Sequence, residues 1–167
     1  MPLLLFILIL LTNPKRRKDH RVYEREIKMN DKEKFADFAE KLVQDNENMY
    51  GAEIRSKYGD EAVENSNAKV KGMTVDQYKE IEKLSEELNA ALKQAFEQGN
   101  PTSELAMKAC KLHKDWLCYF WDDYSNEAHI GIAEMYVSDP RFTAYYDNIA
   151  PGSAMFLRDA LVEYCKL

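Results

Sequence analysis

The chain has 167 residues, 46% of them apolar and 31% charged, with a formal net charge of −6, the profile of one soluble globular domain able to bury its own core. A mean hydropathy of −0.55 excludes an ordinary membrane protein, and 11% aromatic residues exclude a disordered chain. Six glycines and five prolines are too few for a turn-rich sandwich or barrel. Charge is uneven: residues 1–28 carry seven Lys/Arg against three Asp/Glu, whereas the remaining residues carry 16 against 26, a net of −10. An acidic body repels phosphate backbones, so it is a poor general nucleic-acid binder. The three cysteines, Cys110, Cys118 and Cys165, include no C-x-x-C pair; they suggest neither a disulfide framework nor a zinc site, and read as reduced, buried thiols.

Residues 1–28 form an atypical leader. Residues 3–11 are continuously apolar and are followed by Lys15-Arg16-Arg17-Lys18. The run is shorter than the roughly 20 apolar residues of a transmembrane helix. Its charges lie on the wrong side for a signal peptide, and no small-residue cleavage site follows.

From Asp31 the pattern is helical. Phe35, Phe38, Leu42, Val43, Tyr50 and Ile54 recur on one face, with Gly51 and Gly59 expected to bend or end the helix. Asp60 opens a short segment to Lys71 with Ala62, Val63, Ser66 and Val70 inward, closed by Gly72. Thr74 and Gln77 form a capping box ahead of Val75, Tyr78, Ile81, Leu84, Leu88, Leu92 and Phe96, the strongest helical stripe in the chain. Gln98-Gly99-Asn100-Pro101 stops it. A helix from Thr102 or Ser103 to about Trp121 carries Leu105, Cys110, Leu112, His113, Trp116, Leu117 and Phe120. Ser125 caps the next, Asp139-Pro140 starts another, and Ala150-Pro151-Gly152 precedes the last, whose expected buried stripe is Met155, Phe156, Ala160, Leu161 and Tyr164. No alternating strand pattern occurs, so the fold class is all-α with six or seven helices.

Gly-rich phosphate loops, H-E-x-x-H and G-x-S-x-G are absent from the sequence. His113 and His129 are the histidines of the acidic body. Each is a metal ligand or general base by residue type alone, but imidazole more often ties helices together through its two nitrogens. No carboxylate stands at a recognised metal spacing. Residues 113–146 concentrate Trp116, Tyr119, Phe120, Trp121, Tyr124, Tyr136, Phe142, Tyr145 and Tyr146. On one helix, positions 116–124 point around nearly the whole circumference, more than a core-facing stripe uses. Flat faces with polar edges suit a large heteroaromatic ligand, and Met73, Met107, Met135 and Met155 offer adaptable walls, although filling core gaps is the commoner use of methionine.

Five blocks carry a resemblance: Met29 to Phe35, Tyr58 to Val63, His113-Lys114-Asp115-Trp116, Glu134 to Phe142 (EMYVSDPRF) and Ala150 to Ala160 (APGSAMFLRDA). In this order they resemble the TipAS domain, the antibiotic-recognition domain at the C-terminus of certain MerR-type regulators. The resemblance spans Met29 to the C-terminus and divides the chain into the leader, 1–28, and a ligand-binding domain, 29–167. It implies a compact globin-like bundle that binds thiopeptide or similar macrocyclic antibiotics without catalysis or cofactor, N-terminal helices that order on binding, and a cytoplasmic location. The candidate ligand-binding residues are His113, Trp116, Phe120, Tyr124, His129, Met135 and Tyr136.

Two departures shape the expectation. The family's founder attacks a dehydroalanine of its antibiotic with a cysteine, and the corresponding position, two residues after His129, is Gly131; binding is therefore expected to be reversible, with Cys118 a buried, inert thiol. A MerR-type regulator also places a winged helix-turn-helix and a dimerisation helix before this domain, and 28 residues cannot hold them. The expected roles are sequestration or sensing by a stand-alone binder with no direct nucleic-acid contact, or a detached sensor acting through a separate MerR-like partner. An enzyme using either histidine as base ranks below both. Because the resemblance begins at Met29, the leader is expected to be upstream sequence rather than a membrane anchor.

Overall fold

The computed structural model describes residues 32–121 and 123–167, so the leader and the Asp31 cap lie outside the described residues. Among those described there are seven helices and no strand: α1 (Lys32–Tyr58), α2 (Asp60–Lys71), α3 (Val75–Gln98), α4 (Glu104–Cys118), α5 (Asn126–Ser138), α6 (Pro140–Asp147) and α7 (Ser153–Tyr164). None is long and apolar enough to cross a membrane. The chain divides within α3 into two compact units, Met1–Lys79 and Glu80–Leu167.

In the first unit α1 ends at Gly59, whose φ of 85° is open to glycine but strained for other L residues. Its N–H bonds back to Arg55 O at 2.8 Å. Gly51, expected to bend or end α1, lies inside it. Asp60 and Glu61 in the first turn of α2, and Lys69 and Lys71 in its last, complement the helix dipole. The cross-links between α1 and α2 fix an antiparallel register: Arg55 pairs with Asp60 (3.0 Å) and Glu64 (2.7 Å), Asn67 donates to Glu47 (2.8 Å), and Lys71 pairs with Glu40 (2.8 Å). Arg55 also pairs with Glu47 at 2.9 Å. Phe35, Phe38 and Tyr78 close the open end of the hairpin with ring centroids 5.3–5.9 Å apart. The capping box forms as expected, Thr74 N donating to Gln77 Oε1 and Gln77 N to Thr74 Oγ1.

The second unit is organised on α7, which packs against α4, α5 and α6. Ala154, Leu157, Ala160 and Leu161 are its buried face, the alanines admitting close helix approach. Met155, expected inside, is 49% exposed and accepts from Arg158 Nη2. Ala160 and Leu161 are inside as read from sequence, Ala154 and Leu157 complete the face in place of Met155, and Phe156 and Tyr164 are half-buried. Ser103, Ser125 and Asp139 cap α4, α5 and α6 through bonds from the N–H groups of Ala106, Ala128 and Arg141. Gly152 precedes α7 with φ of 95° and offers no side-chain cap. Asp147, at the end of α6, supplies it by accepting from Ala154 N at 3.0 Å.

Gly51 gives a test of the hairpin. A Cβ there would meet Glu47 Oε2, the carboxylate that receives both Arg55 and Asn67. Gly→Ala inside a helix ordinarily stabilises by about 0.5–1 kcal/mol. Here Glu47 must swing aside, so Gly51→Ala is expected to leave the urea midpoint unchanged or lower it. In a Glu47→Ala background the same change should raise it. Equal gains in the two backgrounds would mean that Glu47 does not hold the hairpin.

Candidate functional site

Four aromatic side chains of the second unit are joined end to end by hydrogen bonds in its interior, and a fifth packs against them. Tyr124 Oη lies 2.8 Å from His129 Nδ1, His129 Nε2 lies 2.7 Å from His113 Nδ1, and His113 Nε2 lies 2.8 Å from Tyr136 Oη. Tyr146 packs its ring against that of Tyr136, with centroids 4.7 Å apart. His113 comes from α4, His129 and Tyr136 from α5, Tyr146 from α6, and Tyr124 from the segment before α5. His113, His129 and Tyr136 are completely buried. Ser125 makes this possible locally: as the cap of α5 it sets the start of the helix so that 129, 132, 133 and 136 form its inner face.

The protons can be counted. Each tyrosine and each neutral imidazole carries one hydrogen, and each link of the chain uses one. Every link is satisfied in one of two ways: Tyr136 donates to His113 Nε2, His113 Nδ1–H to His129 Nε2 and His129 Nδ1–H to Tyr124, or all three links run in reverse. Tyr124 Oη also lies 4.0 Å from Cys165 Sγ. Reversing any single link leaves two donors or two acceptors facing each other, so the polarity is set for the chain as a whole. Two imidazolium ions cannot share the 2.7 Å link, because both nitrogens would be donors. Burial, then the neighbouring His129, holds His113 well below the usual range; burial, then the Lys114 ammonium, lowers His129 to about 4. Burial raises the hydroxyls of Tyr124, Tyr136 and Tyr146 above their ordinary value. At neutral pH the chain is uncharged.

The other candidates extend from it. Trp116 is buried 6.2 Å from the His113 ring, and Phe120 packs edge-on to Trp116 at 5.1 Å. Met135 is half-buried on α5 and makes none of the chain's bonds. Thus six of the seven candidates are brought together and Met135 stands aside. α4 stops at Cys118 and Tyr119 and Phe120 form a turn, so Tyr119, Phe120, Trp121 and Tyr124 are not arrayed around one helix; the circumference argument does not apply to them. Residue selection from sequence passed over Tyr146 and Trp121. Tyr146 was signalled by its place one turn beyond Phe142 on the inner face of α6. Trp121 and Trp116 each carry a buried indole N–H without a hydrogen-bond partner among the described residues.

The thiols differ from expectation at one place. Cys110 and Cys165 are buried, and burial followed by the proximity of Cys165 pushes Cys110 up to about 12. Cys118, expected to be buried, is exposed at the end of α4, because the buried face of that helix runs through 109, 110, 113, 116 and 117. Among the described residues no group of three or more His, Cys, Asp or Glu is placed to hold a metal ion.

The two imidazoles make a pH test. Unfolded histidines titrate near 6.5, so between about pH 4 and 6.5 the unfolded chain binds more protons than the folded one. Stability is full above that window and falls as pH drops through it. Each histidine is expected to contribute roughly 2 kcal/mol of loss between pH 7 and 5. Urea unfolding across this range should show a shallower pH slope in His129→Gln than in the unaltered chain. An equal slope would mean that the pair is not held neutral.

With this geometry established, comparison with known proteins is informative. The family described as the TipAS antibiotic-recognition domain matches residues 50–164, a span that contains α4 to α7 and every member of the histidine–tyrosine chain. The HTH-type transcriptional activator mta of Bacillus subtilis is 26% identical over 137 residues, 82% of this chain and 53% of that protein. The HTH-type transcriptional activator TipA of Streptomyces coelicolor is 33% identical over 116 residues, 68% of this chain and 46% of that protein. This chain therefore spans about half the length of the curated relatives it matches. TipAS of Streptomyces lividans, solved in complex with nosiheptide as part of a thiopeptide antibiotic multidrug resistance system, is 30% identical with a TM-score of 0.62, covering 72% of this chain and 85% of that one. The shared helical fold and the match across α4 to α7 place the chain in the TipAS antibiotic-recognition domain family.

Proposed function

We propose that the chain binds thiopeptide or similar macrocyclic antibiotics reversibly and without catalysis, at the aromatic face of its second unit, and acts in the cytoplasm by sequestering or sensing them. The observation that carries this reading is the likeness to TipAS of Streptomyces lividans in complex with nosiheptide. The site's chemistry supports it. Trp116 and Phe120 supply flat apolar area, and the unpartnered indole N–H groups of Trp116 and Trp121 are donors suited to ring nitrogens and carbonyls of a heteroaromatic peptide. His113, His129, Tyr124 and Tyr136 hold these rings in place through the chain. Both nitrogens of each imidazole are engaged within it, which leaves neither free as a general base and supports binding over catalysis.

Reversibility is supported by Gly131, which is exposed on α5 and has no side chain to react. Exposure of Cys118 removes burial as a reason for its inertness, so the reading rests on Gly131. A second reading, in which this chain senses ligand for a separate MerR-like DNA-binding protein, is favoured by the relatives being HTH-type transcriptional activators; copurification of such a partner would select it.

Titration with nosiheptide is expected to quench or shift tryptophan fluorescence, and Trp116→Phe should weaken binding about tenfold, the scale of one lost buried hydrogen bond. Intact mass after denaturation should equal that of the free chain, in the Cys118→Ser variant as in the unaltered one. No spectral change at saturating nosiheptide would refute the reading. An adduct lost in Cys118→Ser would refute its reversibility.

A further inference from the structure

The bonds within the histidine–tyrosine chain do not choose its direction. In one direction hydrogen sits on both Nδ1 atoms and every link points toward Tyr124; in the other it sits on both Nε2 atoms and every link points toward Tyr136. The hydrogen count is the same in both. Passing from one to the other moves one hydrogen from Nδ1 to Nε2 on each imidazole, by exchange with water during local opening, and rotates two hydroxyls. Heavy atoms keep their places.

The choice falls to charges outside the chain. Lys114 follows His113 on α4, is half-buried, and holds its Nζ 4.1 Å from the centroid of the Tyr124 ring. It forms no ion pair among the described residues. After burial, its ammonium is the charge that acts on His129. Glu127, at the same end, acts on Cys165. At the buried end the groups around Tyr136 are the neutral phenols of Tyr145 and Tyr146. A cation at one end of a line of aligned bond dipoles favours the direction that turns the negative end toward it. With hydrogen on both Nδ1 atoms the positive end faces Lys114; with hydrogen on both Nε2 atoms the negative end does. Tyr124 then donates inward to His129 Nδ1, and its half-buried oxygen turns lone pairs outward.

We infer that Lys114 is a positioning residue for specificity: its charge sets the direction of the chain and makes Tyr124 Oη an acceptor for an N–H group of the ligand. The inference rests on the proposed binding of a macrocyclic peptide, whose amide N–H groups are the partners it names. Lys114 acts through His129 and Tyr124 and needs no contact with the ligand. The same hydroxyl, were the chain reversed, would present its hydrogen and favour carbonyls or ring nitrogens instead.

Three variants test this by the sign of the charge. Long-range 1H–15N spectra of the free chain should place hydrogen on Nε2 of both histidines, in the unaltered chain and in Lys114→Arg, which keeps the charge. Lys114→Met keeps an apolar stem over the ring without the charge and should populate both directions. Lys114→Glu reverses the charge and should move hydrogen to both Nδ1 atoms. Hydrogen on both Nδ1 atoms of the unaltered chain, or on the same ring nitrogens in all four proteins, overturns the inference. Nosiheptide affinity should hold in Lys114→Arg and fall about tenfold in Lys114→Glu, the scale of one lost buried hydrogen bond. Equal affinity in those two variants overturns the acceptor role of Tyr124. If nosiheptide fails to bind the unaltered chain, the proposed function falls, while the ring spectra still uphold or refute the control of the chain by Lys114.

Discussion

A 2.7 Å contact between His113 Nδ1 and His129 Nε2 constrains the whole second unit. It requires at least one bare nitrogen, hence at most one charge on the pair, and with both rings neutral the hydrogens run one way from Tyr136 to Tyr124. Because the participants belong to α4, α5 and the segment before α5, one polar chain specifies the mutual placement of elements that apolar packing alone would let slide. The apolar contacts on α7, through Leu157 and Leu161, supply most of the cohesion. The chain supplies the uniqueness, since each link is directional and a displaced helix would strand buried polar atoms.

Both units bury polar atoms without a partner among the described residues, on Asn46, Ser66 and Asn67 in the first and on Asn89, Trp116, Trp121 and Ser153 in the second. The second also joins its imidazoles and phenols into one chain with every link made. The first gathers Glu47, Asp60 and Glu64 about a single arginine. The guanidinium is held charged, its pKa raised by its bonds to Glu64, Glu47 and Asp60, but Asp60 and Glu64 are largely exposed, so those pairs add little stability.

Much of the fold was legible because local chemistry and tertiary structure agree. Thr74 and Gln77, Ser103, Ser125 and Asp139-Pro140 each place a helix start where the structure has it. The misplaced details come from terms that a linear pattern does not contain. Met155 reads as core by residue type, yet the inner face of α7 is selected by its neighbours and favours Ala154 and Leu157. Gly51 reads as a breaker, but it is kept where a neighbouring carboxylate crosses the helix. Aromatic density announced the site, and the helix-tying role of imidazole was one of the readings of His113 and His129. Their mutual bond was beyond reach, since it depends on how α4 and α5 cross.

Long-range 1H–15N correlation spectra of the histidine rings at neutral pH test the central claim most directly. The account predicts that His113 and His129 are both neutral and share one tautomer, with hydrogen on both Nδ1 atoms or on both Nε2 atoms, as the chain from Tyr136 to Tyr124 demands. An imidazolium on either residue, or hydrogen on Nε2 of one with Nδ1 of the other, would contradict it.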